Sequence, residues 1–161
     1  MRKFLNDSCL VKSQRTVVIT MIGALLLAGC SKAGPTQVTL QAAKMKQTGG
    51  MTAADGGITF WQNGSLSTSI NLNKGPVTIS VQASGHAVDG QGPEVTVQLN
   101  GRPVGHVSVS STSAREYAIN AEVENAGTVA LNLNFANHVQ KAPELMGRWL
   151  KIKSVTVSQG A

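Results

Sequence analysis

The chain has 161 residues, with 14 Lys and Arg against 8 Asp and Glu, a formal net charge of +6 and a pI near 9.7. Residues 1–29 hold Arg2, Lys3, Lys12 and Arg15 against Asp7, a net +3, so residues 30–161 keep only the other +3. Those remaining basic residues are scattered, apart from Arg148, Lys151 and Lys153, which removes the case for a nucleic-acid partner. The only cysteines are Cys9 and Cys30, leaving no thiol beyond residue 30 for a disulfide, a metal or a nucleophile. That remainder is the size of one domain.

In chain order, a basic leader comes first, followed by the apolar run from Thr16 to Gly29. A charged start, a short apolar core and small residues before a break are the marks of a secretory signal. The run is shorter than the ~20 residues that cross a bilayer, which argues against an uncleaved membrane helix. Leu27-Ala28-Gly29-Cys30 resembles the lipobox of bacterial lipoproteins. That resemblance implies that Cys30 carries a diacylglycerol and becomes the new N-terminus. The expected organisation is a signal peptide at 1–29, a lipidated cysteine with a short tether at 30–36, and a folded domain at 37–161. At ~3.3–3.6 Å per residue the tether from Ser31 to Thr36 reaches at most roughly 20 Å, so the domain stays near the membrane. Ser31 after the cysteine resembles the outer-membrane sorting pattern. The expected location is therefore the bacterial cell envelope, lipid-anchored at the outer membrane.

From residue 37 onward the hydrophobic period is two, that of a half-buried strand. Alternating runs occupy 38–42, 58–60, 66–72, 77–83, 95–99, 107–109, 117–123, 129–135, 150–152 and 155–157. Turn signals separate many of them: Asn63-Gly64, Asn73 to Pro76, Asp89 to Pro93, Asn100-Gly101 and Asn125 to Gly127. Asn-Gly between alternating runs predicts a tight hairpin, because both turn positions need positive φ. No segment has a helical period. The fold class predicted is all-β, an antiparallel two-sheet β-sandwich of the jelly-roll kind, since one-sided strands must pack two sheets face to face. The expected core is Val77, Ile79, Val81, Val95, Val97, Leu99, Ile119, Leu131, Leu133, Phe135, Leu150 and Ile152.

Two segments carry a family resemblance. Residues 57–72 with 75–85, and residues 93–109 with 129–157, resemble the β-sandwich carbohydrate-binding modules of polysaccharide-degrading systems, the second segment its calcium-dependent xylan-binding branch. Phe135-Ala-Asn137 and the strand from Arg148 to Val157 belong to the second resemblance. It implies a sugar site built by the loops Gly85–Pro93 and Asn137–Gly147, with calcium held by acids where this chain has His138 and Gly147. Related modules place an acidic pair near Gln41 and Ala43. None of these four positions is acidic, and calcium wants a shell of hard oxygens, usually with carboxylates. Asp89, Glu94 and Glu144 are the only acids near the relevant loops. No cofactor is therefore expected, with calcium the one candidate that the resemblance keeps in view.

Sugars are recognised by aromatic faces flanked by amides and charges. If Leu150 and Ile152 point inward, Trp149 and Lys151 point outward, so Trp149 beside Arg148 is a candidate stacking platform. Trp61 follows inward Phe60 and also faces out, unless the long Met45–Gly57 loop covers it. The loop ends add His86, Asp89, Asn137 and His138. Trp149, Arg148, Asn137, His138, His86, Asp89 and Trp61 form the expected ligand-binding set. The three histidines lack metal-ligand spacing, so no metal site is expected. With no Gly-x-Ser-x-Gly elbow, no thiol and no motif spacing Asp89 from Glu144, enzymatic activity is not expected. Two functions fit: a lipid-anchored module binding a polysaccharide, or an accessory lipoprotein docking onto an envelope or secretion complex.

Overall fold

Residues 36–140 and 147–160 are described by the computed structural model. The expected signal peptide at 1–29, Cys30, all but the last residue of the expected tether, and Glu144 lie outside the described residues. Nine strands follow in order: β1 (Thr36–Gln41), β2 (Lys46–Thr52), β3 (Ile58–Leu72), β4 (Gly75–His86), β5 (Glu94–Leu99), β6 (Arg102–Ser108), β7 (Arg115–Val123), β8 (Gly127–Phe135) and β9 (Trp149–Gln159). All the pairings between them are antiparallel.

β9 is the hub of one layer. β4 lies along one edge, with β7 beyond it, while β1 and the start of β3 share the other edge. The second layer runs β2, β3, β8, β5, β6. β3 belongs to both, pairing with β9 over Ile58–Phe60 and then with β8 over Gly64–Leu72. The sandwich is thus one hydrogen-bonded sheet folded over itself at β3, rather than two separate sheets.

That corner overturns the hairpin expected at Asn63-Gly64. Neither residue has a positive φ, and β3 continues through both. The glycine is needed for a different reason: a Cβ at Gly64 would lie 2.3 Å from the Thr48 carbonyl oxygen. Opposite it, β2 carries a register shift between Thr48 and Gly50, where Gly49 takes φ +75°. Over that step β3 advances five residues, from Phe60 to Ser65, against two on β2, and this bulge lets β3 change layers. The segment 46–52, expected inside a long loop, is this edge strand.

The other glycine turns behave as their chemistry requires. Asn100 and Gly101 have φ of 50° and 79°, and Asp89 and Gly90 have 54° and 76°, the mirror-image turn that matches strand twist. The runs 150–152 and 155–157, out of phase with each other, join into the single strand β9. Its pairing with β4 shifts register between Gln82 and Ala83, which leaves Lys153 as the extra residue. The bulge restores both runs to the inner face. All twelve expected core residues are buried, with Phe60 and Phe135 meeting edge to face at 6.3 Å. Tyr117 packs at the border of this core.

Candidate functional site

Three strands place one aromatic row on the outer face of the β9 layer. Trp149 opens β9 and stands opposite His86, the last residue of β4. On the other side Phe60 pairs with Leu150, so Trp61 falls one step along, beside Trp149. The indole centroids are 5.8 Å apart and tilted by 46°, within the range of favourable aromatic pairs. Trp61 is 50% exposed. The chain over residues 45–57 leaves it half exposed, with Lys46–Thr52 of that segment paired as β2.

A second row lies two residues along each strand, on the same face. It holds Met51, Thr59, Lys151 and Ser84 in register. Lys151 Nζ pairs with Asp55 Oδ2 at 2.7 Å, and Gly57 N donates to Asp55 Oδ1 at 3.3 Å. The Lys151 hydrogen bond, helped by the Gly57 amide, holds the Asp55 carboxyl below its ordinary value. Aromatic faces thus adjoin a hydroxyl, an ammonium and a carboxylate, the groups that recognise a pyranose ring and its hydroxyls. Asp55 and Thr59 were not anticipated from sequence. Thr59 was legible in principle, since it shares a phase with Trp61.

Arg148, Asn137 and His138 instead tie the loops together. Arg148 was expected beside Trp149 as an outward contact, and this is corrected: it is 4% exposed. Its phase is that of Leu150, so it points inward. Nε donates to Gln91 O at 3.0 Å, Nη2 to Val88 O at 3.2 Å, and Nη1 to Asn137 O. Asn137 is corrected likewise. Its Nδ2 donates to Gly92 O at 3.1 Å and its Oδ1 accepts from Glu94 N at 2.9 Å, so its amide joins two loops. His138 Nδ1 lies 2.7 Å from Arg148 O; a carbonyl only accepts, so Nδ1 carries the proton. Its backbone N donates to Asn63 Oδ1 at 2.9 Å, tying this loop to the β3 corner. Asp89 sits at the exposed tip of the hairpin closed by Val88 and Gln91. Of the seven expected residues, the structure groups Trp61, Trp149 and His86.

The same geometry does not fit a calcium shell at the positions where acids were expected. A Cβ on Gly147 would lie 2.6 Å from Val139 O, so no carboxylate side chain fits there without a shift. The His138 ring is turned to a carbonyl. Gln41 and Ala43 flank the buried Ala42 as exposed neutral residues. Among the described residues no three His, Cys, Asp or Glu side chains cluster as a metal site.

The CBM36-1 domain of a multidomain xylanase from the hindgut metagenome of Trinervitermes trinervoides has a similar fold. The TM-score is 0.62 at 16% identity, covering 78% of this chain and 98% of that one. A CBM36 module in complex with calcium and xylotriose aligns at 0.56 and 15% identity, over 73% and 97%. A family 35 carbohydrate-binding module from Clostridium thermocellum aligns at 0.56 and 13% identity, over 78% and 99%. At such identities these likenesses speak for the fold. No curated protein matches the sequence. The family model described as Ca-dependent carbohydrate-binding module xylan-binding (CBM60) matches residues 78–160, β4 to β9 and more than half of the chain. The chain belongs to this family of carbohydrate-binding modules.

Proposed function

We propose that the domain is a non-catalytic module that holds a β-linked polysaccharide of the xylan class on the Trp61–Trp149 pair. The single observation that carries this reading is that pair: two indoles from strands far apart in sequence, 5.8 Å and 46° from each other, with one ring half exposed. Two faces set at an angle suit successive rings of a twisted, soluble chain, whereas a flat crystalline surface calls for coplanar faces. The Asp55–Lys151 pair and Thr59 supply hydrogen-bonding partners for ring hydroxyls beside the indoles. Family membership and the fold neighbour in complex with calcium and xylotriose support the ligand class.

We further propose that the module is carried at a bacterial envelope by a lipid on Cys30. Support for this comes from the sequence of the leader and of Leu27-Ala28-Gly29-Cys30. A tether of six residues would keep the sugar site close to the membrane, suited to retaining glycan fragments at the cell surface.

Titration with soluble xylan and xylo-oligosaccharides, read by tryptophan fluorescence and calorimetry, tests the ligand. Saturable binding, weakened about tenfold in Trp149→Ala and in Trp61→Ala, is the expected result. Silence across plant, algal and bacterial glycans would favour a docking lipoprotein instead. Mass spectrometry of the membrane-extracted protein tests the anchor, with a diacylglycerol-modified Cys30 at the new N-terminus expected.

A further inference from the structure

The loop end of the sandwich converges oxygens on one buried charge. Carbonyls of Val88, Gln91 and Asn137 all point at the Arg148 guanidinium, and the Gln91 side-chain oxygen lies 3.5 Å from Nη2. These oxygens come from two different loops, the β4–β5 connection and the segment after β8. Among the described residues no carboxylate pairs with Arg148, and its charge is met there by backbone and amide dipoles. Converging carbonyls repel one another and resist burial unless a cation gathers them. Three carbonyls and an amide oxygen from separate loops make the kind of shell a hard divalent ion collects. A guanidinium meets the same need with a planar fork of donors.

We propose that Arg148 is the resident cation of this loop end. By a side chain it gathers the two loops, in a chain whose family is described as calcium-dependent. The chain's binding end is then assembled without metal. The surrounding contacts follow the same plan. Asn137 bridges Gly92 and Glu94, Arg148 N donates to Val139 O at 3.0 Å, and His138 holds the Arg148 carbonyl. The positions that would supply acids are a histidine ring and a glycine with no room for a side chain. Trp149, the next residue, takes its place in the aromatic row from this clamp. Arg148 is thus a positioning residue. The inference concerns how the loops are held and stands or falls apart from the choice of glycan.

Thermal unfolding of the full-length chain in detergent, with millimolar calcium chloride and with excess EGTA, tests it without any sugar. A calcium site filled far above its dissociation constant raises the midpoint by several degrees. Coincident midpoints in the two buffers, with no calorimetric heat on calcium titration, are expected. Arg148→Met should lower the midpoint by several degrees in both buffers. Arg148→Lys, which returns the charge without the fork, should recover part of the loss. It also serves as the comparison if the Met variant does not fold. A calcium-dependent rise in the wild-type midpoint, an Arg148→Met chain as stable as wild type, or a Lys variant no better than the Met one would overturn the proposal.

Discussion

The two ends of the strand array are closed by opposite means. At the end holding the β3–β4, β5–β6 and β7–β8 connections, the turns are short and local. Asn100 and Gly101 supply their own positive φ, and the Asn100 side chain accepts from Ala130 N at 2.8 Å. Asn73 has both its N–H and its carbonyl bonded to the buried Gln159 carboxamide, each at 2.8 Å. The Arg102–Glu124 ion pair across this end is largely exposed and adds little. At the far end the β4–β5 and β8–β9 connections are longer, and one buried guanidinium gathers them. Distributing closure over several turns makes each replaceable. Concentrating it in Arg148 makes one residue decisive for the end where the aromatic row sits.

Substitutions at each end should therefore have unlike consequences. Phe135→Ala, in the shared core, should cost about 3–5 kcal/mol in urea unfolding and loosen both ends alike. Arg148→Met should cost roughly 3 kcal/mol, because buried carbonyls lose their donors. Hydrogen exchange should then quicken at the amides of Val88, Gln91 and Arg148 while Asn100 and Ala130 stay protected. Equal loss of protection at both ends would abolish the contrast drawn here. Trp149→Ala should weaken glycan binding about tenfold, or about 1.4 kcal/mol, with little change in unfolding midpoint. Gly101→Ala forces a Cβ into φ +79° and should cost about 1 kcal/mol, confined to the turn end. An exchange map in which that variant disturbs Arg148 would show the ends to be coupled.

The smallest effect concerns acid. The Asp55 carboxyl is held below its ordinary value in the folded chain by Lys151 and the Gly57 amide. Its contribution is therefore complete above the ordinary carboxylate range and disappears as pH falls through its lowered folded value. Asp55→Asn should be slightly less stable than wild type near neutrality and should converge with it in acid. A constant difference down to strongly acidic pH would assign the loss to packing.

Much of the fold was legible because its signals are local. Alternation over 77–83 and 129–135 names the buried face of each strand without reference to its neighbours. Asn100-Gly101 is readable because the dipeptide itself carries the needed φ. Asn63-Gly64 has the same letters and was misread: its glycine answers to the Thr48 carbonyl on another strand, and no local pattern records that approach. Arg148 was misjudged although its phase with Leu150 pointed inward, since an isolated arginine reads as a surface residue until enough buried oxygens to hold it are known. Trp61 and Trp149 were each read as outward, but their meeting depends on β3 lying against β9.

By itself, the sequence determined the all-β class and the inner face of the core strands. These follow from period, composition and nearest neighbours along the chain. Tertiary structure alone decided that β3 folds one sheet into two layers, that two distant indoles share a row, and that Arg148 turns away from that row to gather the loops. Each of these rests on contacts between residues far apart in sequence, whose free energy exists only once the chain has closed.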